Sequence, residues 1–146
     1  MNNIHVLDAS AVLVYLQQEE GNDRVEAAME TAPCWMTTVN ASEVMGKLCE
    51  KGMPAEEAQL AIDDLGLILI DFDRELARLA AALRPRTMAI GASLGDRACL
   101  ALAQRSHGSG KVSVYTAEQG WARLSWPFEL IVVRPARTVR SKRPLR

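Results

Sequence analysis

Short, largely apolar runs alternate along this chain with stretches whose apolar residues return every three or four positions. That alternation limits the fold more than any other feature. The runs lie at 4–7, 34–37, 67–70, 112–115 and 130–133. Each reads as a strand, and 67–70, apolar throughout, has the pattern of a strand covered on both faces. Between them the spacing predicts helices over 11–17 and 23–30, then one from Ala41 with Val44, Met45, Leu48 and Cys49 on its apolar face. Gly52 ends that helix, and Pro54 opens the next, which turns Ala58, Ala61, Ile62 and Leu65 inward. Further helices are expected over 73–83, 94–105 and 117–124, with a loop around Pro85 and Gly91. The helix over 94–105 is so apolar at Ala98, Cys99, Leu100, Ala101, Leu102 and Ala103 that it should be buried on most sides. Strands that take turns with helices imply an α/β fold, a mostly parallel sheet flanked by helices on both faces.

At 146 residues, about half of them apolar, the chain suits one domain with one sizeable core. No apolar stretch approaches the ~18 residues of a spanning helix. The first residues lack the basic region and cleavage pattern of a secretory signal. A cytoplasmic protein, with no membrane partner, is the expectation. Cys34, Cys49 and Cys99 are odd in number and form no C-x-x-C, so they read as small core residues rather than as a disulfide framework or zinc ribbon. His5 and His107 stand far apart, which argues against a histidine-based metal site.

Charge is unevenly spread. Six of the 17 basic residues (Arg134, Arg137, Arg140, Lys142, Arg143 and Arg146) fall in 134–146, which holds no acid. Eleven basic residues then face 18 acids in 1–133, a net charge of −7. The domain boundary is therefore placed near Arg134: a folded body over 1–133 and a basic tail over 134–146. The tail is either a solvated end or an arm that lends phosphate contacts to a nucleic-acid binder.

Four acids stand at or near the starts of predicted helices. Asp8 closes the first apolar run, with Ser10 two residues on. Glu43 follows Asn40, Asp96 follows Ser93, and Glu118 follows Thr116. Each alone reads as part of a helix cap, and Asn40 to Glu43 and Ser93 to Asp96 resemble capping boxes. Three of the four directly follow a predicted strand, and a parallel sheet would bring those to one end. Two carboxylates ~4 Å apart repel by about 4 kcal/mol at an effective dielectric near 20. A cluster of four persists only if some stay protonated or a cation binds. Oxygen donors without His or Cys favour hard cations, Mg²⁺ or Mn²⁺, and such ions activate water against a phosphodiester.

The segments around Asp8, Asn40 to Val44, Ser93 to Ala103 and Tyr115 to Trp121 resemble the four acidic motifs of PIN-domain ribonucleases, most closely those of VapC-type toxins. The resemblance runs from about residue 4 to residue 133. It implies a Mg²⁺- or Mn²⁺-dependent endoribonuclease with an RNA substrate, active as a homodimer and held inactive by a VapB-type antitoxin. By position, Asp8, Glu43 and Asp96 would bind metal, with Glu118 as the fourth acid. Ser10, Asn40 and Thr116 would orient ligands and water. The last motif usually carries Asp where this chain has Glu118. The added methylene moves the carboxylate by roughly one bond length, more than a Mg²⁺ octahedron accepts easily.

Two other readings compete. One is a catalytically silent PIN-like module that binds RNA or a partner, motivated by Glu118 and the basic tail. The other is a phosphoryl-transfer fold of haloacid dehalogenase or receiver type, which Ser10 opposes by standing where the former has a second Asp. Trp121 is read either as a base-stacking surface or as core, and so is Met45 or Met53 as partner groove or core.

Overall fold

The computed structural model describes residues 3–134. The tail beyond Arg134 lies outside the described residues. Five strands, β1 (Asn3–Leu7), β2 (Cys34–Thr37), β3 (Ile68–Ile70), β4 (Lys111–Thr116) and β5 (Glu129–Val132), form one sheet in the order β3-β2-β1-β4-β5, parallel throughout. Helices α1 (Ala9–Leu16), α2 (Asn22–Thr31), α3 (Thr38–Glu50), α4 (Ala55–Asp63), α5 (Arg74–Ala82), α6 (Arg84–Thr87) and α7 (Leu94–His107) connect them. No described helix is long and apolar enough to cross a membrane.

The pleat of β1 divides the core in two. Ile4 and Val6 join Leu76 and Ala80 of α5, the buried run Cys99 to Ala103 of α7, and Trp121. Leu7 points the other way, into a cluster with Val12 and Val14 of α1, Val25 of α2, Val44 and Leu48 of α3 and Ile62 of α4. Side chains that alternate across a strand produce this two-layer arrangement directly. Because β1 leads to β2 on one side and is flanked by β4 on the other, the strand order reverses at β1. That reversal opens a crevice beyond the carboxyl ends of β1 and β4.

Several sequence expectations need correction. Thr37, not Asn40, caps α3: its hydroxyl accepts from Asn40 N at 3.0 Å, and the helix starts at Thr38. The apolar run 67–70 contains an edge strand rather than a covered one, with Ile68 48% and Leu69 39% exposed. The segment around Pro85 is helical, since proline suits the first turn of α6, and a 3₁₀ turn Met88–Ile90 follows. The helix expected over 117–124 is a 3₁₀ turn, Gln119–Arg123. Cys34 and Cys99 are buried, but Cys49 is exposed at the rim of the α3 apolar face. Trp121 is wholly buried, so the base-stacking reading fails, and its carbonyl accepts from Trp126 Nε1 at 2.9 Å. His5 is also buried, its Nδ1 2.8 Å from the Ala28 carbonyl, and serves the core.

Candidate functional site

Asp8 leaves the end of β1 and caps α1, its Oδ1 accepting from Ala11 N at 2.8 Å. Two hydroxyls hold the same carboxylate. Ser10 Oγ lies 2.8 Å from Oδ1 and 3.0 Å from Oδ2, and Thr116 Oγ1 donates to Oδ2 at 2.7 Å. Ser10 Oγ in turn accepts from Ala117 N at 2.9 Å, and Thr116 Oγ1 accepts from Glu118 N at 3.0 Å. The ends of the two central strands are thus tied together through one acid. Asp8 is only 1% exposed. Burial outweighs its three hydrogen bonds and the nearby charge of Asp96 adds to it, lifting its pKa from the ordinary 3.8 to about 7.

Asp96 sits in the first turn of α7 in the expected capping box: Ser93 Oγ accepts from Asp96 N at 3.1 Å, and Asp96 Oδ2 accepts from Ser93 N at 3.0 Å. It is half-buried, and desolvation raises its pKa despite those bonds. Glu43 lies one turn inside α3, a second turn of helix rather than the first. Asn40, buried, donates from Nδ2 to Glu43 Oε1 at 3.2 Å and to the Gly95 carbonyl at 3.0 Å. Desolvation raises Glu43 too, with Asp96 adding to it and Lys47 opposing. Glu118, exposed just past β4, is raised by desolvation and by the charge of Asp96, with Arg134 opposing.

These four acids, with Ser10, Leu13 and Lys47, line one cavity of about 250 Å³ beyond the β1 and β4 ends. Beneath it lies the buried Cys99 thiol, whose pKa burial raises first and the charges of Asp8, Asp96 and Glu43 raise further. The cavity shares Ser10, Leu13, Lys47 and Glu118 with a groove of about 440 Å³ that also carries Lys51 and Arg134, together with Glu50 and Glu19, which pair with Lys47 and Arg134. Ser10 and Thr116 therefore bracket Asp8, whereas Asn40 reaches Glu43 instead.

Among the described residues, no three His, Cys, Asp or Glu side chains form a ready-made metal cage. Asp8, Asp96 and Glu43 each accept hydrogen bonds that fix their carboxylates, while Glu118 is exposed. The donor set is all carboxylate and hydroxyl oxygen, and burial disfavours every one of its charges. A hard divalent cation is the ligand that such a set suits. Sequence reasoning missed Gly95, whose Cα faces the Glu43 carboxylate; a glycine in a first helical turn gives no signal of its own.

Fold and cavity together define an α/β protein with acids gathered at the switch point of a parallel sheet. The model of the PIN domain family matches residues 5–126, and the chain belongs to that family. A comparison with curated protein sequences finds no match. Solved structures similar in fold include VapBC2 from Rickettsia felis bound to a DNA fragment from their promoter (16% identity, TM-score 0.64, covering 88% of this chain and 97% of that one). A toxin–antitoxin complex from Klebsiella pneumoniae matches at 18% identity and TM-score 0.64, over 86% of this chain and 98% of that one. VapBC-5 from Mycobacterium tuberculosis matches at 20% identity and TM-score 0.54, over 90% and 98%. At these identities the likeness is one of fold.

Proposed function

We propose that the chain is a metal-dependent endoribonuclease, the VapC-type toxin of a toxin–antitoxin pair. The observation that carries this reading is the gathering of Asp8, Glu43, Asp96 and Glu118 around one cavity, with Asp8 buried and hydroxyl-bound at its floor. Those four acids would hold Mg²⁺ or Mn²⁺, which supplies an activated water and charge neutralisation for phosphodiester hydrolysis. Ser10 and Thr116 keep the Asp8 carboxylate oriented at the floor of the cavity. Lys47, Lys51 and Arg134 stand along the adjoining groove, where the phosphates that flank the cleaved bond would pass. Several solved relatives of this fold are toxin–antitoxin complexes, which supports a VapB-type antitoxin as partner. The same reading makes the active form a homodimer in the cytoplasm.

A silent RNA-binding module is favoured by the longer Glu118 side chain, where the resembling motif carries Asp, and by the basic charge of 134–146. One experiment separates the two readings. The purified, antitoxin-free protein is incubated with total RNA with and without Mg²⁺ or Mn²⁺, and the new 5′ ends are mapped. Defined ends that require the cation support the nuclease. RNA binding with no cleavage under any cation supports the silent module, and neither binding nor cleavage removes RNA as the substrate.

A further inference from the structure

Position 95 contributes to the cavity by having no side chain. Gly95 is buried in the first turn of α7, one residue before Asp96, and the Glu43 carboxylate of α3 lies directly over its Cα. A Cβ at this position would meet both carboxylate oxygens and the carboxyl carbon of Glu43 well inside the 3.0 Å that real Cβ atoms keep. Every other glycine that could accept a Cβ without positive φ meets nothing so close: Gly46 and Gly108 face open space, and Gly120 meets only Ile90 at 3.6 Å.

The contact has a second, independent support. Asn40 is 1% exposed and bridges the same two partners, donating to Glu43 Oε1 and to the Gly95 carbonyl. Its own position is fixed from behind, since Thr37 Oγ1 donates to Asn40 Oδ1 at 2.6 Å and accepts from Asn40 N. Thr37 is wholly buried. A chain of three residues therefore runs from the end of β2 to the first turn of α7 and holds a carboxylate that is otherwise exposed. Nothing in the packing of the core needs this: the Glu43 tip could swing into solvent at little cost.

We infer that Gly95, with Asn40, is a positioning residue that seats the Glu43 carboxylate beside Asp96 and so sets how that acid is offered to a divalent cation. The inference rests on the proposed metal-dependent function and specifies which residue tunes it. A side chain at 95 displaces Glu43 outward without unfolding α7, because alanine suits a helix better than glycine. Shortening the acid restores room for it, so Glu43→Asp should compensate for Gly95→Ala.

The test uses the full chain. Mn²⁺ binding is measured by electron paramagnetic resonance for the wild type, Gly95→Ala, Glu43→Asp and the double variant, with melting temperature in EDTA beside each. The Asn40 side-chain amide is followed by NMR in the metal-free protein. Gly95→Ala should bind Mn²⁺ at least tenfold more weakly, melt no lower than wild type in EDTA, and shift the Asn40 amide resonances. The double variant should bind more tightly than Gly95→Ala alone, although Glu43→Asp alone weakens binding. Unchanged affinity and an unmoved Asn40 amide in Gly95→Ala overturn the inference, as does a double variant whose losses simply add. If Asp8→Asn binds Mn²⁺ as tightly as wild type, or wild type binds none, the metal-dependent function itself fails and this inference falls with it. Binding that needs Asp8 but ignores position 95 removes only the inference.

Discussion

Replacing Asp8 by Asn should make the metal-free protein more stable near pH 8 and leave it unable to cleave. In the folded chain burial lifts this carboxyl from 3.8 to about 7. The folded state therefore holds the proton more tightly than the unfolded chain does. Stability from this group is complete below the unfolded pKa and is lost as pH rises through the folded one. At about 1.36 kcal/mol per pH unit, the loss between pH 4 and 7 is about 4 kcal/mol. Asn removes the ionisation but has a single acceptor oxygen for the Ser10, Ala11 and Thr116 donors that both Asp8 oxygens now serve. Weakened bonding there returns about 1–2 kcal/mol. The net gain near pH 8 is about 2–3 kcal/mol, which for a chain of this size raises Tm by roughly 5–10 °C. Calorimetry in EDTA near pH 8 and near pH 4.5 measures it. The gap between the two proteins should close at the lower pH, where Asp8 is protonated. A gap of equal size at both pH values, or a variant that melts lower near pH 8, refutes the reasoning. Full cleavage activity in Asp8→Asn would sink the nuclease assignment.

Mg²⁺ or Mn²⁺ at a hundred times its Kd should add about 2.7 kcal/mol to wild-type stability, read as a higher Tm, but should hardly move Asp96→Asn. Equal responses would leave Asp96 as the helix cap that its bonds to Ser93 already make it. Glu118→Asp should keep or raise the cleavage rate and Glu118→Gln should lower it. A rate indifferent to both makes Glu118 a surface acid only. Truncation after Arg134 removes Arg137, Arg140, Lys142, Arg143 and Arg146. It should weaken RNA binding and, if about three of those charges engage phosphates, flatten the slope of log K against log salt by about two, at about 0.7 per phosphate neutralised, while cleavage chemistry persists. Identical affinities and slopes from low to physiological salt would show those charges to be idle.

The alternation of strands and helices was legible because apolar periodicity reports directly on which faces are covered. Asp8 and Thr116 were legible too, since they stand at the ends of apolar strands, and so was Asp96, since Ser93 and Asp96 carry the spacing of a capping box. What an apolar run does not report is its rank in the sheet: Ile68 and Leu69 look like central-strand residues but stand at an edge. Asn40 deceived for a related reason. Thr37, Thr38 and Asn40 are all good N-caps, and the Thr37 hydroxyl bond to Asn40 N, with the contact of Asn40 to Gly95, places Asn40 inside the helix. Glu118 opens a 3₁₀ turn rather than an α-helix because Gln119 to Arg123 must turn quickly back toward β5. The seat at Gly95 was invisible, being a property of two segments separated by some fifty positions.

The division of the core by β1 bears on how the cavity would respond to damage elsewhere. Glu43 rides on the helix layer packed against Leu7, whereas Asp96 rides on the opposite layer packed against Ile4 and Val6. Asp8 stands at the end of the strand that the two layers share. A cation gripped by all three would rivet the two layers across the sheet, and a loosened layer would first be felt as a change in grip. Small core lesions far from the acids, such as a cavity cut at Leu100, would then register as weaker metal retention before they registered as unfolding.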